Sequence, residues 1–518
     1  MGRQHTSGGD RRQPDEAGPA PAGEQTAVAQ TLALFESYGE RVAITVDDRD
    51  PQIEWTYGDL LRRVRREARR LDGLGVGRGA VVAVLTGDSP VTFILRWAVN
   101  ALGAAVAVVP DGLSPTAVAE LLHTCRAGLL LADAGRHRSA AQVAAGSGSI
   151  PVVDVETVSP PVDGSPIDVA ARPEDLASIR FTGGSTGLPK GVPRSAAVPR
   201  FLSPAALDGW RDTVQLLCTP VAHLAGMLSE AVLAAGGRVV LQPRFERSRV
   251  LAAIPREQVT FVSLMPRLLH QLLDHPDLAV TDTSSLRSIA VGSAPASPRR
   301  LAEALDRFGP IVYHGYGTLE ATQITWIGPE ELARPELRGT VGRPLGSVEV
   351  SIRDGQENEL PAGETGEVWV RSFAVMTGYL NAPDQTAEAM RDGWFRTGDL
   401  GRLDGAGYLT LAGRQKEVIF AEHARIYPAE IDDVLLAHPA VAAAAVFGVR
   451  DRDLVETPVA AVVVRTGHTP SSSDLIEWVR RDRGPHHAPS AVHFLDALPT
   501  TPSAKVDRTA LRERFSPR

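Results

Sequence analysis

Phe181-Thr182-Gly183-Gly184-Ser185-Thr186-Gly187-Leu188-Pro189-Lys190-Gly191, set directly behind the apolar run Leu176 to Ile179, is the stretch on which the reading of this chain turns. A strand that opens into a loop of Gly, Ser and Thr offers backbone N–H groups and hydroxyls without side-chain bulk, which is what a chain of phosphates needs. Lys190 adds a mobile positive charge. The P-loop pattern wants four residues between its first Gly and a Gly-Lys-Ser/Thr ending. Here Pro189 precedes Lys190 and Gly191 follows it, which disfavours a Walker-type nucleotide hydrolase. A flexible linker is the plain alternative, but linkers seldom join Thr-Gly-Gly-Ser-Thr-Gly to Pro-Lys-Gly.

Outward from this loop the chain alternates short apolar runs with helix-length segments. Leu60 to Leu71 places Leu60, Leu61, Val64, Ala68 and Leu71 on one helical face and six arginines on the other. Val81 to Leu85 and Ala105 to Val109 read as buried strands around a helical pattern that contains Trp97 and Leu102. The rhythm returns at Arg238 to Leu241, Val259 to Leu264, Ser288 to Val291 and Ile311 to Tyr313. This predicts α/β layers of the parallel, doubly wound type. After about residue 346 the pattern changes to alternating strands with turns, as in Val348 to Ile352 and Glu367 to Val370, which predicts a smaller β subdomain.

Bulk properties narrow the function classes. At 518 residues the chain needs two or more domains, and its formal charge of −8 supplies no basic field for a nucleic acid or an anionic membrane. The helical arginines read as a solvated face. Two cysteines, Cys125 and Cys218, are too few for a disulfide framework and carry no metal-ligand spacing, so a cytoplasmic setting is expected. Residues 1–25 are polar and rich in Gly and Pro, which predicts a disordered tail. Met1, Gly2 and Thr6 fit the loose myristoylation spacing, though nothing downstream supports an anchor, and no apolar run reaches bilayer length.

Further motifs follow in order: Gly292-Ser293-Ala294-Pro295, Tyr316-Gly317-Thr318-Leu319-Glu320, Gly342-Arg343-Pro344, Gly363-Glu364-Thr365-Gly366-Glu367 and Thr377-Gly378-Tyr379. Asp392-Gly393-Trp394-Phe395-Arg396-Thr397-Gly398-Asp399, Gly413-Arg414-Gln415-Lys416-Glu417 and a terminal Pro499 to Arg508 with Lys505 complete the set. Together with the loop at 182–190 they resemble the adenylate-forming superfamily: acyl- and aryl-CoA synthetases, peptide synthetase adenylation domains and luciferases. The resemblance covers roughly Trp55 to Leu511.

It implies a large N-terminal adenylation domain at 26–415, made of doubly wound α/β layers plus a β subdomain, and a small mobile α+β C-terminal domain at 416–518. Lys416 falls at the family's hinge. It also implies ATP-dependent activation of a carboxylic acid to an acyl-adenylate with release of pyrophosphate. Thr182 to Gly187 and Lys190 would cradle phosphates, and Glu320 would bind Mg²⁺ as a hard oxygen donor. Asp399, helped by Arg414, would accept hydrogen bonds from the ribose hydroxyls. Gly292, Ser293, Ala294, Pro295 and Tyr316, with Gly317 and Thr318 beside them, would line the adenine site. Lys505 would bridge the acyl carboxylate and the phosphate. His223 matches a position bordering the acyl pocket, where a purely structural histidine is the alternative.

Three departures from the family's pattern stand out, and the second bears on transfer to CoA. Leu319 stands where a Thr is usual, and Thr318 is the hydroxyl that could replace it. Ala421-Glu422-His423-Ala424-Arg425 stands where thioester-forming relatives carry a glycine pair beside the pantetheine tunnel. Ala504 replaces the Gly that commonly precedes the lysine. The Asp-containing segment that grips an α-amino group in peptide synthetase domains is absent, so an aryl or aliphatic acid is expected. Ala225, Gly226, Gly292 and Gly315 would leave space around it. Transfer to CoA is the first expectation; a carrier-protein thiol, an amine or nitrite are the alternative acceptors.

Overall fold

The computed structural model describes residues 25–48, 51–133, 135–139, 142, 150–155, 164–182, 190–199, 202–421, 424–450, 456–501 and 505–516. The expected tail at 1–25 lies almost wholly outside them, as do Gly183 to Gly187, Glu422, His423 and Ala504.

Two largely parallel sheets carry the strands that the sequence predicts. The first has six strands in the order Val152–Asp154, Leu129–Ala132, Val81–Leu85, Ala105–Val108, Leu176–Phe181 and Gly191–Ser195, parallel but for the last. The second has nine. Its parallel centre runs Val312–Thr318, Ser288–Val291, Phe261–Leu264, Val214–Leu217, Arg238–Leu241 and Val42–Val46, with antiparallel strands at both edges.

Strand alternation decides what each face covers. In Val81–Leu85, Val82 and Val84 join the core between the sheets, whereas Ala83 and Leu85 join a separate core under the helix Pro115–Thr124. In the second sheet Leu217, Val239 and Leu241 face inward; Leu216 and Val240 face the outer helices Arg247–Glu257, Pro266–Leu273 and Pro298–Phe308. The inner layer holds the helices Ala27–Tyr38, Tyr57–Gly73, Pro90–Ala101 and Leu224–Ala234, whose buried faces serve both sheets.

The helix predicted from Leu60 begins three residues earlier. Thr56 and Asp59 form a capping box, each side chain accepting from the other's backbone N–H at 3.1 and 3.0 Å. This draws Tyr57 into the core, where its hydroxyl sits 2.9 and 2.6 Å from the carbonyls of Leu233 and Gly237. The arginines on its outer face are engaged locally: Arg65 pairs with Glu36, Arg70 with Glu67, and Arg63 covers the Trp55 ring.

The β subdomain is a five-stranded antiparallel sheet of Glu349–Arg353, Gly366–Arg371, Met390–Arg391, Trp394–Leu403 and Leu409–Arg414. A single turn of 3₁₀ helix, Gln415–Glu417, leads out of it. Beyond lies an α+β unit: strands Val441–Arg450, Glu456–Val464 and Ala491–Phe494 with helices Pro428–Leu436, Ser472–Arg483 and Arg508–Phe515 around their own core. It is tied to the large domain by Arg465, which meets Asp274 at 2.5 Å, and by Arg299, which donates to the carbonyl of Ala437. Among the described residues no helix is long and apolar enough to cross a membrane. Both cysteines are buried and free.

Candidate active site

Where the two sheets, the β subdomain and the C-terminal unit meet, they leave a cleft of about 2870 Å³. That exceeds the roughly 300–1,000 Å³ of an ordinary ligand pocket and leaves room for a nucleotide with a second reactant. Its lining includes Thr182, Lys190, His223, Gly292 to Pro295, Tyr316 to Glu320, Asp399, Arg414 and Lys505. The described residues that the sequence assigns to phosphate, magnesium, ribose, adenine and acid therefore lie on one surface, although these positions are spread over more than 300 residues of chain; Gly226 and the Gly342-Arg343-Pro344 motif lie outside it.

Asp399 is held from both sides. Arg414 Nε lies 2.8 Å from Oδ1, and the Tyr316 hydroxyl donates to Oδ2 at 2.5 Å. Burial, reinforced by the Asp399 charge, raises the Tyr316 pKa far above that of an ordinary phenol, so its proton stays and donates. Burial also raises Asp399, against the pull of Arg414. Thr397 braces the strand by accepting from the Asp399 N–H at 3.0 Å and donating to the Val368 carbonyl. Each carboxylate oxygen keeps a lone pair for a further donor, which suits a diol.

At the opposite wall Ser293 adopts φ +68°, a costly conformation for a residue with a side chain and one that collects at ligand sites. Gly292 beside it has only the Gly315 carbonyl near the place of its missing Cβ, at 3.6 Å, so its surface is open. Gly226 and Gly315 do not leave substrate space as expected. A Cβ on Gly226 would fall 2.0 Å from the Val221 carbonyl oxygen, and one on Gly315 would strike Gln323, Trp326 and the Thr325 carbonyl. Both are small because neighbouring chain passes against them.

Glu320 Oε1 accepts from the Tyr379 hydroxyl at 2.9 Å, and the face of the same ring lies 4.6 Å from Lys190 Nζ. Tyr379 thus joins a carboxylate to the lysine of the glycine-rich loop. The base of that loop is closed by Thr182 and Lys190, whose backbones and the Thr182 hydroxyl are linked at 3.0 and 3.2 Å. Arg194 supports the segment before Glu320 by donating to the carbonyls of Leu319 and Ala374 at 2.5 and 2.9 Å. The Thr318 oxygen accepts from Ala321 N at 3.0 Å, which leaves its hydrogen free to donate toward the cleft in place of the hydroxyl absent at Leu319.

Lys505 enters from the C-terminal unit. Thr501 N donates to its carbonyl at 2.8 Å and Asp507 N to that of Pro499 at 2.9 Å, which anchors the backbone on both sides of the side chain that lines the cleft. Enclosure by protein and the nearby Arg414 guanidinium lower its pKa below that of an ordinary lysine, against Asp399, Glu320 and Glu417. His223 is the N-cap residue of Leu224–Ala234, with its Nε2 buried and unpartnered among the described residues. Burial, then the Lys505 charge, pushes it down to about 4, so it is neutral at pH 7. Lys190, Lys416 and Lys505 are the chain's only lysines among 54 basic residues, and all three line the cleft.

Sequence reasoning gave Tyr379 no role, although its Thr-Gly-Tyr motif marked the place. Arg194 and Arg180 carried no signal beyond being charged residues inside strands.

Residues 33–380 match the profile of the family described as AMP-binding enzyme, and residues 430–505 match the AMP-binding enzyme C-terminal domain. Feruloyl-CoA synthase of an Amycolatopsis species is 32% identical over 466 residues, 89% of this chain and 94% of that one. The structure of the amide bond synthetase McbA from Marinactinospora thermotolerans shares 36% identity at TM-score 0.83, over 95% of this chain and all of that one. O-succinylbenzoate coenzyme A synthetase of Bacillus subtilis, solved with ATP and a magnesium ion, shares 27% identity at TM-score 0.81 over 94% and 100%.

Proposed function

The chain belongs to the AMP-binding, adenylate-forming enzymes and is an AMP-forming ligase; from that premise we propose that it joins an aryl or aliphatic carboxylic acid to the α-phosphorus of ATP, releases pyrophosphate, and passes the acyl group to a nucleophile. The observation that carries the reading is the convergence of Lys505, Glu320 and the Asp399–Arg414–Tyr316 cluster on one cleft.

In this reading a carboxylate oxygen forms the new P–O bond and the pyrophosphate oxygen leaves with the electron pair. Both reactants are anions, so cations must hold them together. Lys505, a compact donor of three hydrogens, spans the acid and the α-phosphate; Lys190 and the base of the loop at Thr182 meet the outer phosphates. Asp399 takes the ribose hydroxyls on its free lone pairs, and Gly292 to Pro295 with Tyr316 seat the base. His223, neutral and with Nε2 unpartnered, can donate or accept one hydrogen bond at the acid. Mg²⁺ fits Glu320, whose Oε2 has no protein donor within hydrogen-bond reach among the described residues; when bound, it would neutralise phosphate charge.

For the acceptor, two observations favour an amine, giving an amide. Ala421-Glu422-His423-Ala424 stands where thioester formers carry glycines, and the likeness to an amide bond synthetase reaches 36% identity. CoA is the second reading, supported by the feruloyl-CoA synthase likeness. Acid-dependent ATP–pyrophosphate exchange over a panel of acids tests the activation, and absence of exchange with every acid sinks it. Mass spectrometry of products formed with CoA or with simple amines separates the acceptors.

A further inference from the structure

Arg180 lies in the strand Leu176–Phe181, one residue from the glycine-rich loop. Its neighbours Ile179 and Phe181 are buried in the outer core, so alternation turns Arg180 the other way, toward the helix Leu224–Ala234. There its guanidinium finds no carboxylate. Its one hydrogen-bond partner among the described residues is the thioether of Met227, at 3.1 Å. Glu230, the acid whose charge acts on it, is taken by Arg96 at 2.8 Å, and Arg194 is spent on backbone carbonyls. Arg96 and Arg180 thus share one carboxylate beside the cleft, while Arg194 lies under the charge of Glu320; Arg96, Arg180, Arg194, Met227 and Glu230 all line the cleft.

A guanidinium in protein surroundings keeps its proton at neutral pH, and a half-buried cation whose one opposing carboxylate is already paired is costly. Burial and the nearby Arg96 push Arg180 down only to about 10, so it stays charged. A weak sulfur acceptor does not offset that cost, whereas an incoming carboxylate would, through two parallel hydrogen bonds. The placement gives a distance. His223, Met227 and Glu230 follow at helical spacing along one face, starting from the end where His223 stands near Lys505. With a rise of 1.5 Å per residue, Met227 lies about 6 Å along that face from His223.

We propose that Arg180 binds a second carboxylate of the substrate, so that the acid activated here is a dicarboxylic acid whose two groups lie roughly one helical turn apart. The proposal rests on the acid-activating reading of the cleft and names the substrate class of that same site.

The test compares matched pairs in ATP–pyrophosphate exchange: hexanedioate against hexanoate, and benzene-1,4-dicarboxylate against benzoate. In the parent enzyme kcat/KM for the diacid should exceed that of its partner by about tenfold or more, the worth of a charge-assisted hydrogen bond. In R180M the ratio should collapse toward one, and R180K should keep part of it. A parent enzyme that prefers the monoacids, or an R180M that lowers both members of a pair equally, overturns the proposal. Should the parent exchange with no acid at all, the activation reading has failed on its own. Calorimetric titration of hexanedioate into parent and R180M then decides: tighter binding to the parent supports the subsite, and equal or absent binding overturns it.

Discussion

Replacing Lys505 by alanine takes one cation out of the cleft and leaves the seat of the nucleotide intact. Around the reacting centre Lys505, Arg414, Lys416 and Lys190 are set against Asp399, Glu320 and Glu417. Without Lys505 the reacting centre loses the cation that would span carboxylate and phosphate. Two unit charges 4 Å apart interact by about 4 kcal/mol at an effective dielectric of ~20. Lys505 is accessible to water from the cleft, so the lower part of the usual ~2.7–4 kcal/mol for a lost transition-state donor applies, or about a hundredfold in kcat. Asp399, Arg414, Tyr316 and Ser293 are untouched, so ATP affinity should stay within about threefold. Acid-dependent ATP–pyrophosphate exchange measures the first quantity and calorimetric ATP binding the second. Exchange in K505A within threefold of the parent would refute the role given to Lys505; ATP affinity lost in parallel with kcat would show that it merely seats the nucleotide.

The lowered Lys505 pKa makes a prediction about pH. Activity needs the protonated amine, so exchange should fall as pH rises through its folded value, and that limb should come below the ~10.4 of a free lysine; a limb at or above that value contradicts the placement. Tyr379→Phe removes the donor to Glu320, worth about 1–1.5 kcal/mol, so kcat/KM for MgATP should drop about five- to tenfold and more magnesium should be needed for half-maximal rate; an unchanged magnesium titration argues against Glu320 as the ligand. Arg465→Ala releases the tie to Asp274 that holds the C-terminal unit in the arrangement seen here. The cost to global stability should be below about 1 kcal/mol, but the ratio of exchange to acyl transfer should fall, and an unchanged ratio would show the tie to be incidental. Tyr57→Phe removes the buried hydroxyl between two inner helices and should cost about 1 kcal/mol in urea denaturation with no change in exchange.

The short β-branched runs, the turn to alternating strands after residue 346 and the ordered motifs were legible because each is a local pattern. Which strands pair was not. Val42–Val46 enters the larger sheet beside Arg238–Leu241, almost two hundred residues away, and periodicity reports that a strand is buried without naming its neighbour. That is why the second sheet, and the helices shared between the two, emerged only in three dimensions. Within the site, Asp399 and Lys505 were legible through their motifs. Arg180 was not, because a strand residue of either face looks alike until the opposing helix is known. Gly226 and Gly315 misled for a related reason: a glycine that makes room for a ligand and one that makes room for a neighbouring carbonyl are the same letter.

The confinement of all three lysines to the cleft has a chemical side. An acyl-adenylate is a mixed anhydride, and the commonest protein nucleophile it meets in water is the unprotonated ε-amine. Beyond the cleft wall this molecule presents guanidiniums where other proteins present lysine side chains, and guanidiniums remain protonated and do not attack such an electrophile at neutral pH. An intermediate that escapes before transfer therefore finds no lysine to acylate outside the cleft wall, so any lysine self-labelling must fall on Lys190, Lys416 or Lys505.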